Sequence, residues 1–242
     1  MSSTSRVTAA LSVIAAALLI AGCTSTPGST APTSSTEPSS PAAPGQGADD
    51  DIEGAVLDDG RMFAVVTQGS STCVPQVSDV SAEGQTVAVT LADVSEDQVC
   101  TADHAPRASI GALPEGVDPT KDITLQITYG ELSDDVDLDG DPRRTGAPGS
   151  ATEYAPSAGW VDDGMLVLLT WGSSSCPPVV ESVEGSGAEG TATFSTDDTQ
   201  VCTMDMAPRG TLIAFDETTV DDDDFTLTLV GGGLDGTVVV RG

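Results

Sequence analysis

A chain of 242 residues with 38 acidic side chains against 8 basic ones, formal net charge −30, is poorly suited to nucleic acid. Phosphates repel such a surface, and no basic stripe is present to release counterions. The same imbalance excludes a basic patch for anionic lipid headgroups, and with only 3% aromatic residues any core must be built from Val, Leu, Ile and Ala.

Residues 1–22 have the three parts of an export signal: Arg6 in a short polar start, an apolar stretch from Val7 to Ala21, and small residues at its end. The stretch is shorter than the roughly 20 apolar residues of a membrane-spanning helix. It closes on Leu19-Ile20-Ala21-Gly22-Cys23. That ending resembles a bacterial lipobox. The resemblance implies cleavage after Gly22 and a diacylglyceryl thioether on Cys23, which would hold the protein on the extracytoplasmic face of the cell membrane. Residues 23–50 are rich in Ser, Thr, Pro, Gly and Ala with scarcely an aliphatic side chain. Such a linker cannot bury enough apolar surface to offset its ordering entropy and is expected to be disordered.

Two related stretches follow, roughly a hundred residues apart. Gly69-Ser70-Ser71-Thr72-Cys73-Val74-Pro75 matches Gly172-Ser173-Ser174-Ser175-Cys176-Pro177-Pro178, each after an apolar run. Gln98-Val99-Cys100-Thr101-Ala102-Asp103-His104-Ala105-Pro106-Arg107 matches Gln200-Val201-Cys202-Thr203-Met204-Asp205-Met206-Ala207-Pro208-Arg209. Two tandem modules are therefore expected, 51–139 and 156–242, joined by an acidic, Pro/Gly-containing linker at 140–155. If both share one fold, each closes its own pair, Cys73 with Cys100 and Cys176 with Cys202. Loops of that length contribute on the order of 3 kcal/mol each in the chain-entropy model. Zinc is the competing use of four cysteines, but neither module has a close Cys-x-x-Cys pair.

Each module opens on Asp-Asp-Gly between apolar runs, Asp58-Asp59-Gly60 and Asp162-Asp163-Gly164, a hairpin signal. Strands are predicted at Met62–Thr67, Val77–Val80, Thr86–Leu91, Ala108–Leu113 and Ile123–Tyr129. In the second module they fall at Met165–Trp171, Val179–Val183, Thr191–Ser195, Thr211–Phe215, Phe225–Val230 and Thr237–Arg241. No stretch beyond the signal longer than ten residues has helical periodicity. The fold class is all-β, each module a small disulfide-stapled sandwich or open barrel. The combination of apolar strand, Gly-Ser-Ser-Ser-Cys-Pro and Cys-Thr-x-Asp before Pro resembles a module of uncharacterised actinobacterial secreted and lipid-anchored proteins. That resemblance implies a high-GC Gram-positive source and carries no known activity.

Residues that could do chemistry are few. The Ser70-Ser71 and Ser173-Ser174-Ser175 clusters lack the second glycine of a Gly-x-Ser-x-Gly elbow, and the one histidine, His104, is matched by Met206. The Ser-rich loops either present N–H groups and hydroxyls to a ligand or form the tight turn that delivers a cysteine into the core. Arg107 and Arg209 are expected to pair with a carboxylate such as Asp103 or Asp205; anchoring an anion is the sharper reading. Calcium is the one candidate cofactor: Asp135, Asp137 and Asp139, followed by Gly140, resemble the first half of an EF-hand loop. Position 12 would be Gly146, without the closing glutamate, so a solvated acidic linker competes. Asp221–Asp224 reads as a solvated turn. The expected function is non-enzymatic: a lipid-anchored surface protein for binding or envelope interaction. A secreted hydrolase with an unrecognised site is the alternative.

Overall fold

Alternation of apolar and polar residues makes one strand face oily and the other wet, and this pattern builds the outer layers of the molecule. The structure, a computed structural model, describes residues 51–95, 99–197 and 199–242. The export signal, Cys23 and the 23–50 linker lie outside the described residues. Fourteen strands are described, and the one helical segment among the described residues is the three-residue turn Asp58–Gly60.

The first half contributes β1 (Glu53–Leu57), β2 (Met62–Gly69), β3 (Gln76–Glu83), β4 (Thr86–Ala92), β5 (Ala105–Ala112), β6 (Ile123–Tyr129) and β7 (Leu132–Leu138). They form a three-stranded sheet, β1-β2-β5, and a four-stranded sheet, β3-β4-β6-β7. Val87, Val89 and Leu91 of β4, with Ile123, Leu125 and Ile127 of β6, face Phe63 and Val65 of β2 across one core. This is a sandwich. Gly111 leaves room for the Phe63 ring, since a Cβ there would lie 2.3 Å from its Cζ.

The second half has β8 (Ser157–Asp162), β9 (Met165–Gly172), β10 (Val180–Ser186), β11 (Glu189–Phe194), β12 (Ala207–Ala214), β13 (Thr226–Gly231) and β14 (Gly236–Arg241). Its pairing follows the same order, β8-β9-β12 and β10-β11-β13-β14. In both halves the four-stranded sheet contains one parallel pair, β4 with β6 and β11 with β13. A short parallel pairing, Val240 to Ala158 and Arg241 to Gly159, fuses the second half's strands into one seven-stranded sheet. The Trp160, Phe215 and Phe225 rings meet edge-on within its core.

A third core joins the halves. Ala55, Leu57, Met62, Ala64 and Val66 pack with Val161, Val167 and Leu169. Each three-stranded sheet is thus covered on both faces, one by its own four-stranded partner and the other by the opposite half. Double burial explains why β2 and β9 read as unbroken apolar runs rather than alternating ones. Gly159 lets β8 approach β1 closely, because a Cβ there would sit 2.9 Å from the Ala55 Cβ.

The stretch read as an acidic linker is different in the structure. Leu132–Leu138 is β7, paired with β6 from Tyr129–Leu132 to Ile123–Leu138. Its every-other-residue aspartates have the period of a strand: Val136 and Leu138 point into the core while Asp135 and Asp137 face solvent. The Ala-Pro-Arg blocks also lie within strands, since β5 starts at Ala105 and β12 at Ala207. Both are edge strands, where a proline costs no ladder hydrogen bond.

Residues 139–156 form no strand but are tied to both sides. Asp59 Oδ2 accepts from the Thr145 hydroxyl at 2.6 Å. Buried Arg144 donates to Asp139 O at 2.6 Å and to Gly242 O at 3.4 Å. Burial alone would raise the Asp141 pKa, but Arg143 and Arg241 hold it at about 2.

Candidate functional site

The Ser-rich blocks and their cysteines form one loop assembly in each half. After β2 the chain turns, with the Cys73 N–H donating to Ser70 O at 3.2 Å; after β9, Cys176 donates to Ser173 O at 3.3 Å. Disulfides join Cys73 to Cys100 and Cys176 to Cys202, with Cα atoms 5.5 and 5.7 Å apart. They sit at the surface, with Cys100 and Cys202 exposed, so the loops do not deliver a cysteine into the core. The staple closes two surface loops over a strand end, because the core positions are already filled by the strands themselves.

Beneath each loop lies an arginine. Arg107 donates through Nη1 to Cys73 O at 2.6 Å and through Nη2 to Gln68 O at 3.0 Å. Arg209 does the same with Cys176 O at 2.9 Å and Trp171 O at 3.0 Å. The glycine before each Ser-rich block makes room for this. A Cβ on Gly69 would lie 2.6 Å from the Arg107 Cζ, and one on Gly172 would lie 2.9 Å from that of Arg209. The expected arginine–aspartate pairs are not made. Each guanidinium is committed to loop carbonyls, and each aspartate is committed to the loop's own donors.

Asp103 accepts the Ser71 N–H on both oxygens at 3.3 Å and the Thr101 hydroxyl. Asp205 accepts the Ser174 N–H at 3.2 Å and the Thr203 hydroxyl. These hydrogen bonds, the threonine's first, hold both carboxyls at about 2. The chain of contacts continues to Ser70, 2.8 Å from the Thr101 hydroxyl, and to Ser173, 2.7 Å from that of Thr203. A serine linked through threonine to a carboxyl of that acidity has a poor base, since a general base works best with its pKa near the working pH. His104 lies in the exposed part of this assembly, where the second half has exposed Met206.

Of the calcium candidates, Asp135 and Asp137 lie on β7 and Asp139 directly follows it. All three are exposed, Asp135 and Asp137 on the solvent face of β7 and Asp139 just beyond its end. Asp137 instead accepts the Thr124 hydroxyl across the sheet at 2.8 Å. Among the described residues no group of three or more His, Cys, Asp or Glu side chains could hold a metal ion.

Two features had no counterpart in the sequence reading. The loops turn apolar side chains outward: Val99 is 92% exposed, Val201 93% and Met204 fully exposed. In the first half, Tyr129 at the end of β6 donates its hydroxyl to Asp93 Oδ1 at 2.6 Å, beside Arg107. The first feature had a signal, a valine directly before the second cysteine in both blocks. The second joins residues from three separate stretches and had none. No family model, no curated protein and no solved structure matches the chain.

Proposed function

We propose that the protein is exported, anchored through lipid on Cys23 to the outer face of the membrane, and acts there without catalysis, as a binding protein whose contact surfaces are the two disulfide-closed loops. The observation that carries the reading is the outward apolar display on those loops, Val99 in the first half and Val201, Met204 and Met206 in the second. On so acidic a chain, apolar side chains turned outward from the loops favour a protein contact over solvent. The disulfides restrain the chain at Cys100 and Cys202 before contact, which lowers the entropic cost of binding. Two disulfides suit an oxidising compartment, and the lipobox-like ending at Cys23 agrees with one. The like order of strands and the like loops in both halves support two copies of one module.

The test has two arms. Cys23→Ser is expected to leave the membrane fraction or to accumulate as unprocessed precursor, and to lose fatty-acid labelling. A photo-crosslinking residue at Met204 is expected to capture a discrete envelope component on intact cells, whereas the same residue at Thr191 on the outer sheet does not. Equal capture at the two positions would remove the loops as the contact surface.

A further inference from the structure

Among the described residues no carboxylate touches the Arg107 guanidinium directly; the Tyr129 hydroxyl lies between it and Asp93. The arginine is 7% exposed, and its hydrogen bonds go to neutral oxygens: Cys73 O, Gln68 O and the Thr67 hydroxyl. A guanidinium has five N–H donors. Three are used in those bonds, and Nε is buried with no hydrogen-bond partner among the described residues. Buried charges are ordinarily paired with an opposite charge.

A cavity of about 290 Å³ borders this guanidinium. That is close to the lower limit of roughly 300 Å³ for small-molecule sites. The Cys73–Cys100 disulfide, Val74 and Val94 supply its apolar walls. Asp93 and Tyr129 also line it, joined by the 2.6 Å hydrogen bond from the phenol. Burial first, then the Asp93 carboxylate, raises the Tyr129 pKa, while the nearby Arg107 opposes them. The phenol therefore keeps its proton for Asp93, and one hydroxyl separates a cationic wall from an anionic one.

The second half provides an internal comparison. Arg209 grips its loop in the same way, but the place of Tyr129 at the strand end is taken by Gly231. Gly231 has φ +76°, and a Cβ there would lie 2.6 Å from Phe194 O, so no phenol can stand at that position. At this strand end the two halves therefore differ by the Tyr129 phenol.

We propose that the first-half cavity binds a small zwitterion, an α-amino acid with a short apolar side chain. Its carboxylate faces Arg107, its ammonium faces Asp93, and its side chain lies against Val74 and Val94. The α-amino acid is favoured over a simple anion because Asp93 would repel an anion, and over a simple cation because Arg107 would repel a cation. This goes beyond the loop-contact reading by adding a small-molecule site, separate from the apolar loop tips of the second half.

The test is calorimetric titration of the mature chain with L-valine, alongside isovalerate, which lacks the ammonium, and isobutylamine, which lacks the carboxylate. Saturable one-to-one binding of valine is expected, at least tenfold weaker for either analogue. Asp93→Asn and Tyr129→Phe are each expected to weaken valine binding at least tenfold with unchanged thermal melting, while Ser195→Ala in the second half leaves binding unaltered. No saturation up to about 10 mM, beyond the millimolar range where binding is only about 4 kcal/mol, overturns the proposal. Equal affinity for isovalerate and valine, or an unweakened Asp93→Asn variant, does the same. None of these outcomes bears on membrane anchoring or crosslinking at Met204, so a failure here is distinguishable from a failure of the binding reading.

Discussion

Truncating Leu169 probes whether the halves fold as one unit. Leu169 lies on β9 with 0% exposure and packs into the core shared with β1 and β2, while its neighbour Leu168, equally buried, faces only the second half's own core. A fully buried Leu→Ala change costs about 3–5 kcal/mol, combining lost transfer energy with the cavity left behind. That is a large part of a typical stability of about 5–15 kcal/mol. For a chain of this size, each kcal/mol moves the melting temperature by about 2–4 °C, so a cost of about 3 kcal/mol lowers it by roughly 6–12 °C. Calorimetry of Leu169→Ala is expected to show one transition, shifted down by that amount. Hydrogen exchange should speed up in β2 and β5 of the first half as well as in β9. Linker contacts, such as Thr145 to Asp59 and Arg144 to Gly242, reinforce the coupling. Two calorimetric transitions, with exchange in β2 unchanged, would refute a core shared between the halves.

Replacing Cys176 and Cys202 by Ala opens a loop of 26-residue separation and is expected to cost about 3 kcal/mol, seen as a lower melting temperature that reductant lowers further only through the remaining Cys73–Cys100 bond. Because the halves share a core, that loss should be felt in both. Gly172→Ala places a Cβ against the Arg209 guanidinium and should loosen the Ser173–Cys176 loop, read as faster exchange at the Cys176 amide. Acid titration tests the loop carboxyls. Their folded pKa of about 2 lies below the usual unfolded value near 3.9, so their contribution is complete above that value and is lost as pH falls through about 2. Asp103→Asn with Asp205→Asn should flatten the stability profile in that window; an unchanged acid limb would count against the loop network. Glu53, Asp58 and Asp222 have raised pKa values, burial being the first cause, and act with the opposite sign. Their contribution is present at low pH and fades as pH rises through those raised values.

Local periodicity and turn chemistry were sufficient for much of the architecture. Alternation at Val87, Val89 and Leu91 marks a strand with one covered face, and that is how β4 sits. Asp58-Asp59-Gly60 turns β1 into β2, with Leu57 opposite Met62, because the turn takes positive φ at all three positions. Matching the two cysteine blocks was enough to assign each cysteine its partner. Other features depended on what lies across space. The spacing of Asp135, Asp137 and Asp139 is equally that of a metal loop and of a wet strand face, and only pairing with β6 decides for the strand. The run Met62–Val66 announces burial but not by what; its two faces are covered by different sheets, one from each half. Arg107 sits among loop carbonyls rather than beside Asp103 because the β2 strand end and the Cys73 turn converge on it before any carboxylate reaches it. The meeting of Arg107, Asp93 and Tyr129 likewise arises from three stretches that only the packed sheets bring together. A sequence encodes the character of each face, while the partner that covers it is fixed by the collective packing of strands distant along the chain.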